Sequence, residues 1–308
     1  MSSSADTTFV YTYGGLRYEE GTSMVVTADS GYAMLGTSGS FGFGNSDIYL
    51  VKADSNGNYL WSKNYGGTGT DVGLSIKETA DSGFIFCGYT NSSGAGGYDV
   101  YLVRTDAQGD TLWTNTFGGF DWDMGFDVVQ TSDGGFAIAG ETFSFGAGDN
   151  DVYLIKTNAA GDSLWTRTYG GVEQDYARSL FETADSGFIV GGATYTYDVD
   201  SGDAYLIKTN ALGDTSWTGN YGGTRSDWIN SVIQAADSGY AFIGTSKSYL
   251  AKNKDIYVGK VNSSGVMSWF NPLGSIEGDE EGSDLVQLPN SSYALISYSN
   301  FFGEGEED

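Results

Sequence analysis

Tryptophan recurs at Trp61, Trp113, Trp165, Trp217 and Trp269, each 52 residues after the one before, and Phe9 holds the same register ahead of Trp61. Four residues after each stands an aromatic followed by two glycines: Tyr13-Gly14-Gly15, Tyr65-Gly66-Gly67, Phe117-Gly118-Gly119, Tyr169-Gly170-Gly171 and Tyr221-Gly222-Gly223. The sixth copy changes to Leu273-Gly274-Ser275. A period of this length demands one supersecondary unit used repeatedly, each copy covering the apolar face of its neighbour. The repeats fall at 13–64, 65–116, 117–168, 169–220, 221–272 and 273–308.

One copy, 65–116, reads as four strands: A over Val72 to Thr79, B over Phe84 to Tyr89, C over Asp99 to Arg104 and D over Thr111 to Thr116. No segment sustains a 3.6-residue period. Asp or Asn opening a tight turn that closes on glycine, as in Asp81-Ser82-Gly83, suits a type I turn with a left-handed glycine. Four antiparallel strands per repeat describe a blade, so the expected fold class is all-β, a six-bladed β-propeller forming one domain. Ser23, Ser75, Ser179, Ser231 and Ser283, with Asp127 in the third copy, share one strand A position. Gly21, Gly73, Gly125 and Ala177 lie two residues earlier, and crowding around a central axis would call for such small side chains.

Residues 6–12 match strand D, so the sixth blade is expected to join this N-terminal strand to strands A and B of the last copy and close the ring. Its strand C is missing, because Asp308 aligns with the first residue of that strand. Either the natural chain is longer, or a strand from another chain fills the gap. The second case makes the protein a self-assembling filament or ring subunit.

Acidic residues outnumber basic ones 40 to 14, and a net charge of −26 repels phosphate backbones and anionic lipid. Nucleic acid is therefore not an expected partner. Membrane insertion is not expected either, since no run reaches the roughly 18 apolar residues of a span. Histidine is absent, which excludes Ser-His-Asp triads and His-ligated metals. Cys87 lies in the apolar run Phe84-Ile85-Phe86-Cys87 and reads as a buried, inert thiol. The polar start, Met1 to Thr8, is no signal peptide, so the chain is cytoplasmic or has lost a leader.

Thr131-Ser132-Asp133-Gly134-Gly135-Phe136, Ser144-Phe145-Gly146-Ala147-Gly148 and Asp151-Val152-Tyr153-Leu154-Ile155-Lys156 resemble the propeller repeats of secreted or surface-bound bacterial and archaeal proteins. The resemblance covers nearly the whole chain. It implies a propeller outside the cell or at its surface, acting in binding or scaffolding, with no activity attached to the fold itself.

The long B–C and D–A loops share one face, where function is expected. Trp122, Tyr176 and Trp228, with Tyr18, Arg17 and Arg225, break the repeat symmetry there and suit stacking on sugar rings or anchoring a protein. One ring of acids comprises Glu19, Asp71, Asp123, Asp175, Asp227 and Asp279; a second comprises Asp47, Asp99, Asp151, Asp203, Asp255 and Asp308. No cofactor is required. Ca²⁺ on the first ring is the alternative to each Asp fixing its own loop through backbone N–H groups. Lys52, Arg104, Lys156, Lys208 and Lys260 end each strand C, each a partner for a neighbouring acid.

A glycosidase needs two carboxylates at unique positions, and none stands out in the repeat. Arg17, Arg178 and Arg225 are too far apart in register for a sialidase-like cluster. A non-enzymatic module binding protein, glycan or copies of itself is the expected function, with a carboxylate-based glycoside hydrolase as the alternative. Asn91, Asn262 and Asn290 open N-glycosylation patterns.

Overall fold

A computed structural model describes residues 10–196, 201–250, 253–275 and 278–300. Among these residues all regular structure is β, and no helix is long and apolar enough to cross a membrane. The chain divides into two compact units, Met1–Gln130 with Ala160–Asp162, and Thr131–Ala159 with Ser163–Asp308. The first unit holds a sheet of β1 (Glu19–Val26), β2 (Tyr32–Ser38), β3 (Asp47–Ala53) and β4 (Tyr59–Tyr65). A second sheet has β5 (Asp71–Glu78), β6 (Phe84–Thr90), β7 (Asp99–Thr105) and β8 (Thr111–Phe117), and strand β9 (Asp123–Gln130) follows.

The second unit opens with β10 (Phe136–Thr142), β11 (Asp151–Thr157) and β12 (Ser163–Tyr169). Two four-stranded sheets come next: β13 (Asp175–Glu182), β14 (Phe188–Thr194), β15 (Asp203–Thr209) and β16 (Thr215–Tyr221), then β17 (Asp227–Gln234), β18 (Tyr240–Ser246), β19 (Asp255–Val261) and β20 (Met267–Leu273). The last sheet pairs β21 (Glu280–Gln287) with β22 (Tyr293–Ser299). Strand order within each sheet is chain order, and neighbours are antiparallel, which is the expected blade.

Neighbouring sheets bury each other. In the first unit Ala33, Leu35, Ile48 and Leu50 meet Ile76, Phe84, Phe86 and Val103 of the next sheet. In the second, Ile189, Ala204 and Leu206 meet Ile229, Val232, Tyr240 and Phe242. The tryptophan period has a physical origin here. Trp61 lies edge-on to Phe84 at 6.1 Å, and a Cβ on Gly109 would come within 2.8 Å of the Trp61 ring. Four residues on, the Tyr65 hydroxyl donates to the Gly109 carbonyl at 2.7 Å, as Tyr169 does to Gly213 and Tyr221 to Gly265 at 2.6 Å. Trp, Tyr and the turn glycine of the following sheet thus form one clamp.

Turn geometry corrects one expectation. In the A–B turns the left-handed residue is serine, with φ of 65° at Ser30, 63° at Ser82, 61° at Ser186 and 66° at Ser238; only the third copy places a glycine there, Gly134. The glycine that follows is required by contact, since a Cβ on Gly187 would stand 2.1 Å from the Thr209 carbonyl oxygen. A non-glycine residue in this region costs roughly 1 kcal/mol. Ser238→Gly is therefore expected to raise stability by about 0.5 kcal/mol, less than the strain removed because glycine loses more chain entropy on folding. Urea unfolding of the two proteins checks the sign.

The last repeat is also displaced by one residue. Glu280, not Asp279, opens β21 and is buried where Asp227 is buried in β17; Asp284, not Ser283, stands opposite Ile296 as Ser231 stands opposite Ile243. These inner positions carry hydrogen bonds between repeats: Ser75 Oγ to Asp127 at 2.7 Å, and Ser231 Oγ to Asp284 at 2.6 Å. Of the proposed N-terminal strand 6–12, residues up to Phe9 lie outside the described residues, and 10–12 form no strand. Asp308 also lies outside them.

Candidate functional site

Because six copies share one frame, positions that change chemistry between copies stand out. Four of them adjoin at the B–C and D–A end. The first carries Tyr18, Thr70, Trp122, Gln174 and Ser226; the second Glu20, Val72, Met124, Tyr176 and Trp228. The third carries Thr37, Tyr89, Glu141, Ala193 and Thr245; the fourth Ser46, Tyr98, Asn150, Gly202 and Lys254. The second and third are cross-strand partners, as in Glu20↔Thr37, Val72↔Tyr89 and Trp228↔Thr245. The third and fourth touch: the rings of Tyr89 and Tyr98 are 5.1 Å apart, and Asn150 Nδ2 donates to Glu141 Oε2 at 2.7 Å.

In the first unit these positions form an aromatic belt. Tyr89 meets Tyr98 edge-on, and Tyr98 meets Trp122 edge-on at 5.6 Å. Trp122 remains 52% exposed. Tyr18 donates its hydroxyl to Glu20, which raises the tyrosine pKa. Burial first, then Tyr98 and Glu20, raises that of Tyr89. The belt therefore joins stacking surface to an exposed carboxylate, a combination that takes a pyranose ring or a peptide side chain. Arg17 is exposed beside it, its backbone N–H on Ser40 Oγ at 2.7 Å.

The second unit treats its aromatics differently. The Arg178 guanidinium lies 5.0 Å from the Tyr176 ring centroid, and burial, with Tyr195 nearby, pushes Tyr176 up to about 12. Lys247 and Lys254 stand 5.9 and 6.0 Å from the Trp228 ring, and Lys254 also pairs with Glu281. Such cation–π contacts occupy faces that the sequence reading offered to a ligand. Arg225 is held through Ser248 at 3.0 Å. Tyr89, Tyr98, Glu20, Glu141 and the lysines over Trp228 were not among the expected site residues. The signal that finds them is variation at a fixed repeat position, not an unusual residue type.

The acid rings are built into the loops. Asp71 accepts from Gly67 N–H at 2.8 Å, Ser92 Oγ at 2.6 Å and the Thr90 hydroxyl. Gly119, Gly171 and Gly223 donate in the same way to Asp123, Asp175 and Asp227. Glu280 takes this place in the last repeat, with Ser275 N–H at 3.1 Å; Asp279 instead accepts from Lys254 N–H at 3.0 Å. Members of the two rings crowd the same glycines: a Cβ on Gly118 would lie 2.3 Å from Asp99 Oδ1 and 2.6 Å from Asp123 Oδ2. Burial, with the neighbouring carboxylate adding, pushes Asp47, Asp99 and Asp151 above the usual range against the backbone N–H bonds that lower them. Among the described residues no three acidic, cysteine or histidine side chains converge on one point.

No family model matches the chain. It is 28% identical over 157 residues to the regulatory protein FlaEY of Caulobacter vibrioides, a match covering 43% of this chain and 16% of that protein's length. The WD40 domain of Neurospora crassa Pan2 superposes with a TM-score of 0.51 at 11% identity, covering 82% of this chain and 66% of that one. A Bacteroides caccae protein of unknown function gives a TM-score of 0.48 at 11% identity, covering 85% of each chain. The fold is a β-propeller, one that serves many unrelated functions.

Proposed function

We propose that this chain is a non-catalytic binding module that works outside the cell or at its surface and captures a glycan or a protein segment. The observation that supports it is the belt of Tyr18, Glu20, Tyr89, Tyr98 and Trp122, assembled from positions that vary while the frame does not. Long loops on a rigid scaffold are the usual place for recognition. The resemblance to surface repeats supports the location.

Half-exposed tryptophans next to other aromatics make the largest contributions to contact surfaces, of about 2 kcal/mol or more. An oligosaccharide array and a peptide array, probed with the intact protein and with Trp122→Ala, should show a ligand class whose signal falls about 30-fold in the variant. Ligands bound equally by both proteins would place recognition elsewhere.

A carboxylate-based hydrolase is a second reading. Glu141 favours it, since burial pushes this acid up despite Arg178 and the Asn150 hydrogen bond. Turnover of aryl glycosides that Glu141→Gln abolishes would carry that reading; a panel with no turnover would remove it.

A further inference from the structure

Within the second unit, the chain itself supplies a partner to the aromatic rings at the varying positions. Tyr176 on β13 and Trp228 on β17 occupy the same place in consecutive repeats. Each ring meets a cation of its own unit: the Arg178 guanidinium lies 5.0 Å from Tyr176, and the Lys247 and Lys254 ammonium groups lie 5.9 and 6.0 Å from Trp228. The ring quadrupole favours such a partner. Lys254 also pairs with Glu281. Trp228, Lys254 and Glu281 therefore make one contact of three parts: ring, cation and acid.

The belt of the first unit holds the ring and the acid of that contact. Glu20 and Glu281 share one register place, each the second residue of its sheet's first strand, opposite Thr37 and Tyr298. Glu20 is exposed, and its Oε2 accepts from the Tyr18 hydroxyl. Among the described residues, no lysine or arginine forms an ion pair with it. Tyr98 crosses Tyr89 at 79° and Trp122 at 76°. Rings set nearly at right angles offer no broad flat platform for a sugar, but present faces and edges to a compact cation. A Cβ on Gly97 would lie 2.5 Å from the Trp122 ring, so the indole is seated against this glycine. Asp121 is exposed beside Trp122, and the net charge of −26 draws cations toward the surface.

We propose that the belt binds a lysine or arginine side chain presented by a protein segment, its charge set beside these rings and Glu20 as Lys254 is set beside Trp228 and Glu281. This rests on the belt being the recognition site, and it narrows the ligand to a cationic peptide. The groups that meet the rings of the second unit are themselves lysine and arginine side chains, which favours a peptide over an amino sugar. The methylene stem of such a side chain also covers aromatic surface while its head stays with the acid.

Fluorescence anisotropy of a labelled tetralysine peptide, and of the same peptide acetylated on every side chain, tests this with the intact protein. Binding should saturate, fall with added salt and be lost on acetylation, which removes the charge and keeps the stem. Trp122→Ala should weaken tetralysine binding about 30-fold, and Glu20→Gln about three- to fivefold. Glu20→Gln, an isosteric change at an exposed site, decides alone if Trp122→Ala protein fails to fold. Equal affinity of the intact protein and both variants overturns the proposal, because the attraction then comes from the acidic surface at large. Equal binding of the acetylated peptide overturns it too. If chitohexaose or its deacetylated form needs Trp122 while tetralysine does not, the belt stands as the recognition site and the cationic peptide falls. If nothing bound depends on Trp122, both fall.

Discussion

Gly244→Ala is expected to remove about 3 kcal/mol of stability or more, enough to leave little folded protein in the soluble fraction. A Cβ at this position would stand 1.8 Å from the Trp228 carbonyl oxygen. The obstacle is backbone, so no rotamer relieves it. Strand A carries a bulge there, between Ile229 and Ser231, which pushes the carbonyl toward β18. β19 holds β18 from the other side, leaving no room to retreat. Gly36, Gly88 and Gly192 meet the same contact at 2.0, 1.8 and 1.9 Å. Ser297 fills the position in β22, where no third strand is paired among the described residues. Gly21→Ala is the control: nothing lies within 4 Å of its Cβ, and a change within about 0.5 kcal/mol is expected. Chemical denaturation of both variants measures the contrast.

Acid should unfold this protein through its A–B turns. Lys156 and Lys208 are buried, and their ammonium groups lie 2.9 and 3.0 Å from Asp133 and Asp185. Burial raises both acids, but hydrogen bonds from Thr131 and Lys156, and from Thr183 and Lys208, outweigh it and hold each at about 2. The unfolded value is about 4. The folded carboxylates bind fewer protons, so their contribution is complete above pH 4 or so and is lost as pH falls toward 2.

Asp47, Asp99 and Asp151 act in the opposite sense. Raised by burial, they bind more protons when folded and cost stability as pH rises through their folded values. Melting temperature is therefore expected to drop steeply below about pH 3, and to ease downward on the other side as these buried aspartates ionise. Asp185→Asn should flatten the acid limb. It should also cost about 1–2 kcal/mol at pH 7, a buried-pair loss discounted because the aspartate side chain is 65% exposed. A melting series from pH 2 to 8 reads both effects.

The tryptophan period made the blade legible because Trp61 and Tyr65 grip a glycine of the following sheet, which ties the spacing to a contact. The buried lysines were legible for a related reason: each ends strand C at the level of its own turn aspartate. The last repeat was less so, because one added residue moves Glu280 and Asp284 into places that sequence register gives to Asp279 and Ser283. The belt was half legible. Tyr18 and Trp122 are unusual residues on a loop, whereas Tyr89 on β6 and Tyr98 just before β7 look like ordinary packing aromatics until their rings are seen to touch. Nothing in the residue pattern pointed to Lys247 and Lys254, which reach the Trp228 ring from beyond its own strand.

A consequence follows from where the recurring bonds lie. The turn ion pairs, the tyrosine clamps and the backbone N–H bonds to Asp71, Asp123, Asp175 and Asp227 are all made without any side chain from the four varying positions. Exchange at those four sites therefore trades one recognition chemistry for another while the load-carrying joints keep their partners, so this architecture can diverge in what it grips without passing through an unfolded ancestor.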